Sequence, residues 1–191
     1  MTNPTPEQLP VRLVNDREHY DLVVDDAIRR AQVSIWIGTA TVKDLHVAAP
    51  VGSRARARGK YISILELLAD LGRRGVELRL LHGGLPSGPF RKRLAKMPQL
   101  DELLQIRHCP RVHFKMIAID GRLLYLGSAN LTGAGLGAKG DHRRNFEAGI
   151  LTADDIMLDE MQQRYESIWT GLHCAGCAIR AHCPQPLDGQ P

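Results

Sequence analysis

The first half of the sequence alternates strand-like and helix-like segments, and this order limits the possible folds more than any other feature. Val33–Val42 is rich in β-branched residues, which predicts a buried strand, and Val11–Val14 and Val76–Leu81 are also predicted to be strands. Between them, Asp21–Ala31 and Ile62–Leu71 carry apolar residues at helical spacing. The order strand, helix, strand, helix, strand is typical of an α/β sheet with crossover helices.

The second half contains strand candidates with little room for helices between them. These candidates are Leu103–Ile106, Val112–Ile119, Leu123–Gly127 and Phe146–Leu151. We expect them to add antiparallel or mixed strands to the sheet. Phe90–Met97 is predicted to be a basic helix, Asp154–Trp169 an amphipathic helix, and Val47–Gly59 a mobile loop. The expected fold class is therefore α/β, with a mixed β-sheet sandwiched by helices.

Composition limits the class of protein. The chain has 191 residues, of which 43% are hydrophobic and 24% charged, as in globular proteins. We expect one domain, with its main body in residues 1–170 and a short Cys-rich tail in residues 171–191. The sequence contains no run of about 18 apolar residues, so we expect no membrane span. The first residues lack a basic flank leading into an apolar stretch, which predicts a cytoplasmic protein.

Positive charge is clustered, although the formal net charge is only +4. The three clusters are Arg54, Arg56, Arg58 and Lys60; Arg91, Lys92, Arg93 and Lys96; and Lys139, Arg143 and Arg144. Such clusters suit contact with a polyanion such as nucleic acid. The alternative is that they are solvated loops and helix faces.

Polar side chains occur in three pairs, and the members of each pair are two residues apart. The pairs are His113 with Lys115, Ser128 with Asn130, and Asn145 with Glu147. Residues two apart on a strand project from the same face. If the three stretches are neighbouring strands, as their short intervals allow, all six side chains converge on one patch. A register slip of one residue would turn them into the core, so the pattern specifies the pairing tightly.

The patch has the chemistry of a site for a phosphoryl group. The His113 imidazole is a nucleophile or a general acid/base near neutral pH, and a carboxylate on its second nitrogen would fix the tautomer. We assign that carboxylate to Glu147. Lys115 would supply positive charge and Ser128 and Asn130 neutral donors to the phosphate oxygens. A His-x-Lys triplet alone would be more typical of the surface of an edge strand.

The complete spacing H-x-K-x4-D-x6-G-S-x-N, from His113 to Asn130, resembles the HKD motif of the phospholipase D superfamily. The resemblance is firm across Val112–Thr152 and looser over Val33–Met97. It implies a phospholipase D-like fold, with residues 1–170 as the catalytic domain.

The resemblance also implies a role for each motif residue. His113 would attack phosphorus and form a covalent phosphohistidine, Lys115 and Asn130 would bind the phosphate oxygens, and Glu147 would orient the imidazole. Asp120 completes the motif and is counted with the catalytic set. Its parity is opposite to that of His113, however, and a glycine follows it, which favours a structural role at a strand end or turn.

The chain departs from the common family pattern in having one HKD motif. Family catalysis uses two histidines, one as the nucleophile and one to protonate the leaving oxygen. His19, His46 and His82 lack the companion residues of a second motif. We therefore expect a two-fold symmetric homodimer that shares one active site, as in the small single-motif bacterial endonucleases that the chain resembles. A monomer that has lost activity is the alternative.

Glycines recur through Thr132–Gly140, but neither G-x-x-x-x-G-K-[ST] nor G-x-G-x-x-G is present. We interpret this segment as a loop that follows the GSxN turn. It would lie near enough to the site for Lys139, Arg143, Arg144 or Asn145 to contact substrate. A plain flexible connector is the alternative.

The tail contains three of the four cysteines in a C-x2-C-x5-C pattern, namely Cys174, Cys177 and Cys183. A C-x2-C turn lets two thiolates share one tetrahedral metal, so we expect a structural zinc. Cys109 is the preferred fourth ligand, with His108, His173 and His182 as alternatives. The metal would not be catalytic, because the histidine mechanism requires none. An iron–sulfur cluster, a disulfide or free thiols are the other interpretations.

These features predict a metal-independent phosphodiesterase, most specifically a nuclease of low sequence specificity. The motif indicates the reaction, and the basic clusters indicate nucleic acid as the substrate. A phospholipase D or phosphatidyl transferase is an alternative, although an aromatic content of 5% does not suggest an apolar entrance. A catalytically silent DNA-binding or scaffold dimer is a further alternative.

Overall fold

The computed structural model describes residues 9–189. Its strands are β1 Arg12–Asn15, β2 Ser34–Thr39, β3 His46–Ala48, β4 Tyr61–Ser63, β5 Glu77–His82, β6 Leu104–His108, β7 Met116–Ile119, β8 Leu123–Gly127 and β9 Ala148–Thr152. Its α-helices are α1 Arg54–Ala57, α2 Ile64–Arg73, α3 Gly88–Leu94, α4 Pro98–Asp101 and α5 Asp155–Trp169. A π-helix spans His19–Ile28, and short 3-10 turns span Asp141–Arg143 and Arg180–His182.

Seven strands form one mixed sheet in the order β1-β9-β8-β7-β2-β5-β6. The pairs β2–β5 and β5–β6 are parallel, as expected where crossover helices join strands. The remaining neighbours in this sheet are antiparallel. The prediction of a mixed sheet with antiparallel strands from the second half of the chain is therefore confirmed.

Helices cover both faces of this sheet, because alternate residues of its strands face two separate apolar cores. On β7, Ile117 and Ile119 join a core that includes the π-helix and α2. Met116 and Ala118 face the opposite way and pack in a core that contains Tyr165 of α5. The result is the predicted sandwich of helices around a mixed sheet.

The helix α5 begins one residue after Asp154, whose side chain accepts a hydrogen bond from the Met157 amide at 2.9 Å. Its buried residues Leu158, Tyr165 and Trp169 lie on one stripe, which packs on the sheet. The helix has 15 residues, and a bilayer requires about 20. Within residues 9–189, no helix is both long and apolar enough to cross a membrane.

The segment Val47–Gly59 differs from its prediction as a mobile loop. Val47 pairs with Ile62 in a two-stranded antiparallel sheet, and the short helix α1 follows. The guanidinium of Arg56 in this helix donates a hydrogen bond to the Ala49 carbonyl at 3.1 Å. The prediction of a loop without regular structure was wrong, because strands of three residues are too short to produce a recognisable alternation of apolar and polar side chains. The mobility of the segment stays a prediction.

Asp120 follows β7 at the end opposite His113, in a left-handed conformation with φ of +56°. Its carboxylate accepts hydrogen bonds from three successive backbone amides, those of Gln32, Val33 and Ser34, at 2.7–3.0 Å. These bonds fix the start of β2 against the end of β7. The structural interpretation of Asp120 thus fits its position, and its place in the catalytic set does not.

The Asp120→Ala variant is expected to lower the free energy of unfolding by about 3 kcal/mol, because three amides lose a charged acceptor. Asp120→Asn retains one acceptor oxygen and tolerates the left-handed conformation, so it should lose less. Urea unfolding of the two variants measures this difference. A smaller loss for Asp120→Ala than for Asp120→Asn would contradict the role assigned to the carboxylate.

Candidate active site

The predicted polar residues meet at one edge of the sheet. Because β7, β8 and β9 are antiparallel neighbours, the start of β7, the end of β8 and the start of β9 lie side by side. The segments at this edge carry His113 and Lys115, Ser128 and Asn130, and Asn145 and Glu147, respectively. The predicted convergence of these three segments is confirmed, but the side chains project from segments that flank the strands rather than from the strands.

Strand β7 begins at Met116, although Val112–Ile119 was predicted as one strand. Residues before it form a turn, in which the Val112 amide donates to the Cys109 carbonyl at 2.9 Å. The Lys115 carbonyl still accepts a hydrogen bond from the Gly127 amide at 3.1 Å. His113 is consequently exposed at the edge of the sheet, beyond the end of the ladder.

Phe114 holds this edge segment against the sheet. Its ring lies over Gly38 of β2, where an added Cβ would come within 2.1 Å of the Phe114 ring. Phe114 is half-buried against the core that contains α5. Only glycine at position 38 leaves room for this ring, which anchors the residue between His113 and Lys115.

Lys115 lies close to the imidazole. Its ammonium donates a hydrogen bond to the His113 carbonyl at 2.7 Å and lies 3.4 Å from His113 Nδ1. The side chain therefore places a fixed positive charge beside an exposed histidine. This arrangement suits an anionic substrate that contacts both groups.

The Glu147 carboxylate is bound by its neighbours at the same edge. The Ser128 hydroxyl donates a hydrogen bond to Oε2, and the side-chain NH2 group of Asn145 donates one to Oε1 at 2.9 Å. Ser128 Oγ in turn accepts a hydrogen bond from the Ala148 amide at 3.1 Å. Across residues 9–189, no hydrogen bond joins Glu147 to His113, so the predicted partner of the imidazole is paired here with Ser128 and Asn145.

Asn130 is held by two residues that sequence reasoning missed. Its Oδ1 accepts hydrogen bonds from the Thr41 amide at 2.9 Å and from the Thr39 hydroxyl at 3.3 Å. Because the oxygen is engaged, the NH2 group is the end of the amide that is left to bind a phosphate oxygen. The available signal was the T-x-T sequence at the end of the predicted strand Val33–Val42.

Asp16 is a further supporting residue, which the sequence suggested as a helix cap and did not connect with the site. Its Oδ1 accepts a hydrogen bond from the Glu147 amide at 3.0 Å, and its own amide donates to the Glu147 carbonyl at 3.0 Å. The residue adopts φ of +43°, a conformation that aspartate tolerates better than most residues. Asp16 therefore extends the β1–β9 pairing and fixes the backbone of Glu147.

Two of the histidines that lie outside the HKD motif, His19 and His82, are buried. His19 has no exposed surface, and its ring makes an edge contact with Tyr125 at 5.4 Å between centroids. Burial lowers the pKa of His19 and raises the pKa of Tyr125 to about 12, so both rings are neutral near pH 7. His82 is 5% exposed, and burial lowers its pKa as well. His19 and His82 are therefore unsuited to protonate a leaving group on an exposed substrate.

The glycine-rich segment Thr132–Gly140 packs against the protein and is not a plain flexible connector. Leu136 is buried in the core that includes the π-helix and α2, and the backbone amide of Asn145 donates a hydrogen bond to the Ala134 carbonyl at 3.1 Å. Gly137 adopts φ of +65° where a Cβ would come within 2.6 Å of a backbone carbonyl oxygen. The loop thus supports Asn145 at the site.

The basic residues of this segment and of the turn that follows it differ in their exposure to solvent. Arg144 forms an ion pair with Asp141, and its side chain is only 16% exposed. Lys139 and Arg143 are exposed. Of the predicted substrate contacts, Lys139 and Arg143 are therefore better placed to meet a polyanion than Arg144.

The other basic clusters are partly neutralised. Arg56 forms an ion pair with Asp25, and Arg93 forms ion pairs with Asp44 and Glu66. These two arginines therefore have a structural role as well as a charge. The remaining basic residues of the two clusters are exposed or half-buried.

The four cysteines line one cavity of about 200 Å³ beside the segment that leads to His113. All four, Cys109, Cys174, Cys177 and Cys183, are free thiols. A hydrogen bond from the Ile179 amide, together with the Arg111 side chain, lowers the pKa of Cys177. Within the part of the chain that the structure describes, no three His, Cys, Asp or Glu side chains are close enough to hold a metal ion.

A family model described as cardiolipin synthase, PLD-like domain matches residues 24–169, which is most of the chain. A search of curated proteins returned no significant match. The family match spans six of the seven strands of the sheet, the polar edge and α5, and β1 lies before it.

Solved structures show the same fold at low sequence identity. The phospholipase D family member Nuc from Salmonella typhimurium is 18% identical, with a TM-score of 0.56 over 84% of this chain and 94% of that one. NucT from Helicobacter pylori is 15% identical, with a TM-score of 0.50 over 83% and 95%. Phosphatidylserine synthase from Haemophilus influenzae Rd KW20 is 15% identical, with a TM-score of 0.52 over 85% of this chain but 39% of that one.

Proposed function

The chain belongs to the family of cardiolipin synthase, PLD-like domains, and from this premise we propose that it is a metal-independent nuclease that acts through a phosphohistidine. The observation that supports the proposal most is that an exposed His113, with the Lys115 ammonium beside it, lies at the same edge of the sheet as Asn130. A nucleophile beside a fixed cation and a neutral donor suits attack on a phosphodiester.

The reaction has two displacements at phosphorus. A His113 nitrogen attacks, a P–N bond forms, and the bond from phosphorus to the leaving oxygen breaks as a second histidine gives that oxygen a proton. Water then attacks phosphorus, the second histidine takes a proton from it, and the P–N bond breaks. The net result is hydrolysis of one phosphodiester bond, with both histidines returned to their starting states.

The neighbours of His113 stabilise the charge that develops during both steps. Lys115 and the Asn130 NH2 group bind the non-bridging oxygens, on which negative charge accumulates. The Glu147 carboxylate, held by Ser128 and Asn145, lies at the same edge and is assigned to the imidazole that becomes cationic.

The second histidine comes from a second copy of the chain in this proposal. His19 and His82 are buried, and His46 lies on the separate β3–β4 sheet. A two-fold dimer that joins the exposed edges would bring two copies of His113 to one phosphorus. Phe146 supports this arrangement, because it is 97% exposed between Asn145 and Glu147 and aromatic side chains are common at the centre of protein interfaces.

Nucleic acid is favoured over lipid as the substrate because exposed cations flank the site. Lys139 lies on the loop that supports Asn145, and Arg143 lies in the 3-10 turn that follows this loop. Their exposure suits contacts to the phosphates on either side of the one that is cleaved, which would position a polynucleotide without reading its sequence. Low sequence specificity follows from contacts of this type.

The purified protein is expected to nick supercoiled plasmid in the presence of excess chelator. Single-stranded DNA, RNA and phosphatidylcholine vesicles are assayed in parallel, and circular dichroism under the same conditions verifies that the chelator has not unfolded the protein. Release of head groups from the vesicles without DNA or RNA cleavage would favour the lipid alternative. Turnover of none of these substrates by the folded protein would favour the silent DNA-binding dimer.

A further inference from the structure

The cavity that the cysteines line joins two distant parts of the chain. Cys109 directly follows β6, while Cys174, Cys177 and Cys183 lie in the tail after α5. The proposed reaction uses none of these thiols. All four cysteines of the chain, from two separate segments, thus line one space of about 200 Å³.

Hydrogen-bond donors lie close to two of the thiols in the tail. The Cys177 amide donates to the Cys174 carbonyl at 3.1 Å, which closes the C-x2-C turn. Cys174 Sγ accepts a hydrogen bond from the Leu187 amide at 3.4 Å, and Cys177 Sγ accepts one from Arg111 at 3.6 Å. Donors aimed at sulfur stabilise thiolates, which are the forms that bind metals.

We propose that Cys109, Cys174, Cys177 and Cys183 bind one Zn²⁺ as four thiolates. Four thiolates match the ligand number of structural zinc, and two of the sulfurs, those of Cys174 and Cys177, accept hydrogen bonds of the kind that commonly surround such sites. In the conformation described, the thiols of residues 9–189 surround the cavity without closing to ligand distances. Binding would draw them inward, with loss of the four thiol protons.

The histidines near the cavity are less suited to the fourth position. His108 Nε2 forms a hydrogen bond with the Gly83 carbonyl at 2.9 Å, and His173 Nε2 forms one with the Ser167 hydroxyl at 3.1 Å. His182 does not line the cavity among the residues described. Cys109 has no competing side-chain partner of this kind within the described chain, which favours four sulfurs.

The site would position the catalytic segment. Cys109 lies four residues before His113, its amide donates to the His82 carbonyl at 3.0 Å, and its carbonyl accepts the Val112 amide. A metal shared with the tail would therefore fix the start of the turn that leads to His113. The zinc is a structural element that holds the nucleophile at the edge of the sheet.

Elemental analysis of the purified full chain is expected to give about one zinc per chain. Cys177→Ser and Cys183→Ser should each lose most of the metal, whereas the control His182→Ala, in the same segment, should keep it. Protein stripped of metal and titrated with Co²⁺ should show the absorption bands of tetrahedral thiolate coordination, a readout that does not depend on activity.

Three results would overturn the zinc proposal. The first is iron with acid-labile sulfide, which would indicate an iron–sulfur cluster. The second is a disulfide, which an intact mass measured without reductant would reveal. Full retention of zinc by both serine variants would place the metal elsewhere. Each outcome is independent of the nuclease proposal, because plasmid nicking is not the measurement.

Discussion

The His113→Ala variant is expected to lose plasmid nicking by about 10⁴-fold or more, because the change removes the nucleophile and, in the proposed dimer, also the group that protonates the leaving oxygen. His113 is exposed and belongs to neither apolar core, so the folded structure should survive. Initial rates of nicking and thermal unfolding of the same preparation measure the two effects separately.

The matched control is His142→Ala, which removes another exposed imidazole from the loop before Asn145. It is expected to retain wild-type activity within about 3-fold, since ordinary surface substitutions change little. Substrate labelled on the cleaved phosphate should also leave an alkali-stable, acid-labile label on wild-type protein quenched during turnover, as a P–N bond requires. Nicking by His113→Ala at the wild-type rate would contradict the assigned nucleophile.

The fold was predictable where long segments carry a clear period. The strands β2, β5 and β8 have five or six residues, of which at least three are large and apolar, and α5 has both an N-terminal cap and an apolar stripe. The β3–β4 sheet was missed because each of its strands has only three residues. Short strands are stabilised by tertiary contacts that no local pattern records.

The site was predictable in its residues but not in its local geometry. Spacing of two identified the pairs that meet at the edge, yet His113 precedes β7 and Ser128 follows β8. A turn between Cys109 and Val112 and the packing of Phe114 on Gly38 make β7 begin later than its sequence suggests. The contact between Phe114 and Gly38 joins residues far apart in sequence, so parity along one strand could not reveal it.

The supporting residues of the site were the least predictable part. Asp16 binds the backbone of Glu147 across a separation of 131 residues, and Thr39 reaches Asn130 across 91. Aspartate and threonine at strand ends are common, so neither residue stands out in a single sequence. Their roles emerge only once the sheet order places β1 beside β9 and β2 beside β7.

A heterodimer with one wild-type chain and one His113→Ala chain is expected to be nearly as inactive as the double variant. If the two copies of His113 act on one phosphorus, removing either copy removes the nucleophile or the group that protonates the leaving oxygen. General acid catalysis alone contributes about 10²–10⁴-fold to the rate. Two different affinity tags allow the heterodimer to be purified from co-expressed chains. Nicking is then measured per dimer against wild-type protein with the same tags.

The size of the residual activity distinguishes a shared site from two independent ones. Independent sites would leave about half of the wild-type rate, because one intact chain would work alone. A heterodimer of wild type with His142→Ala controls for the tags and should be fully active. Half activity in the His113 heterodimer, or a fully active monomer in sedimentation, would contradict the shared site and require the second proton donor to lie within one chain.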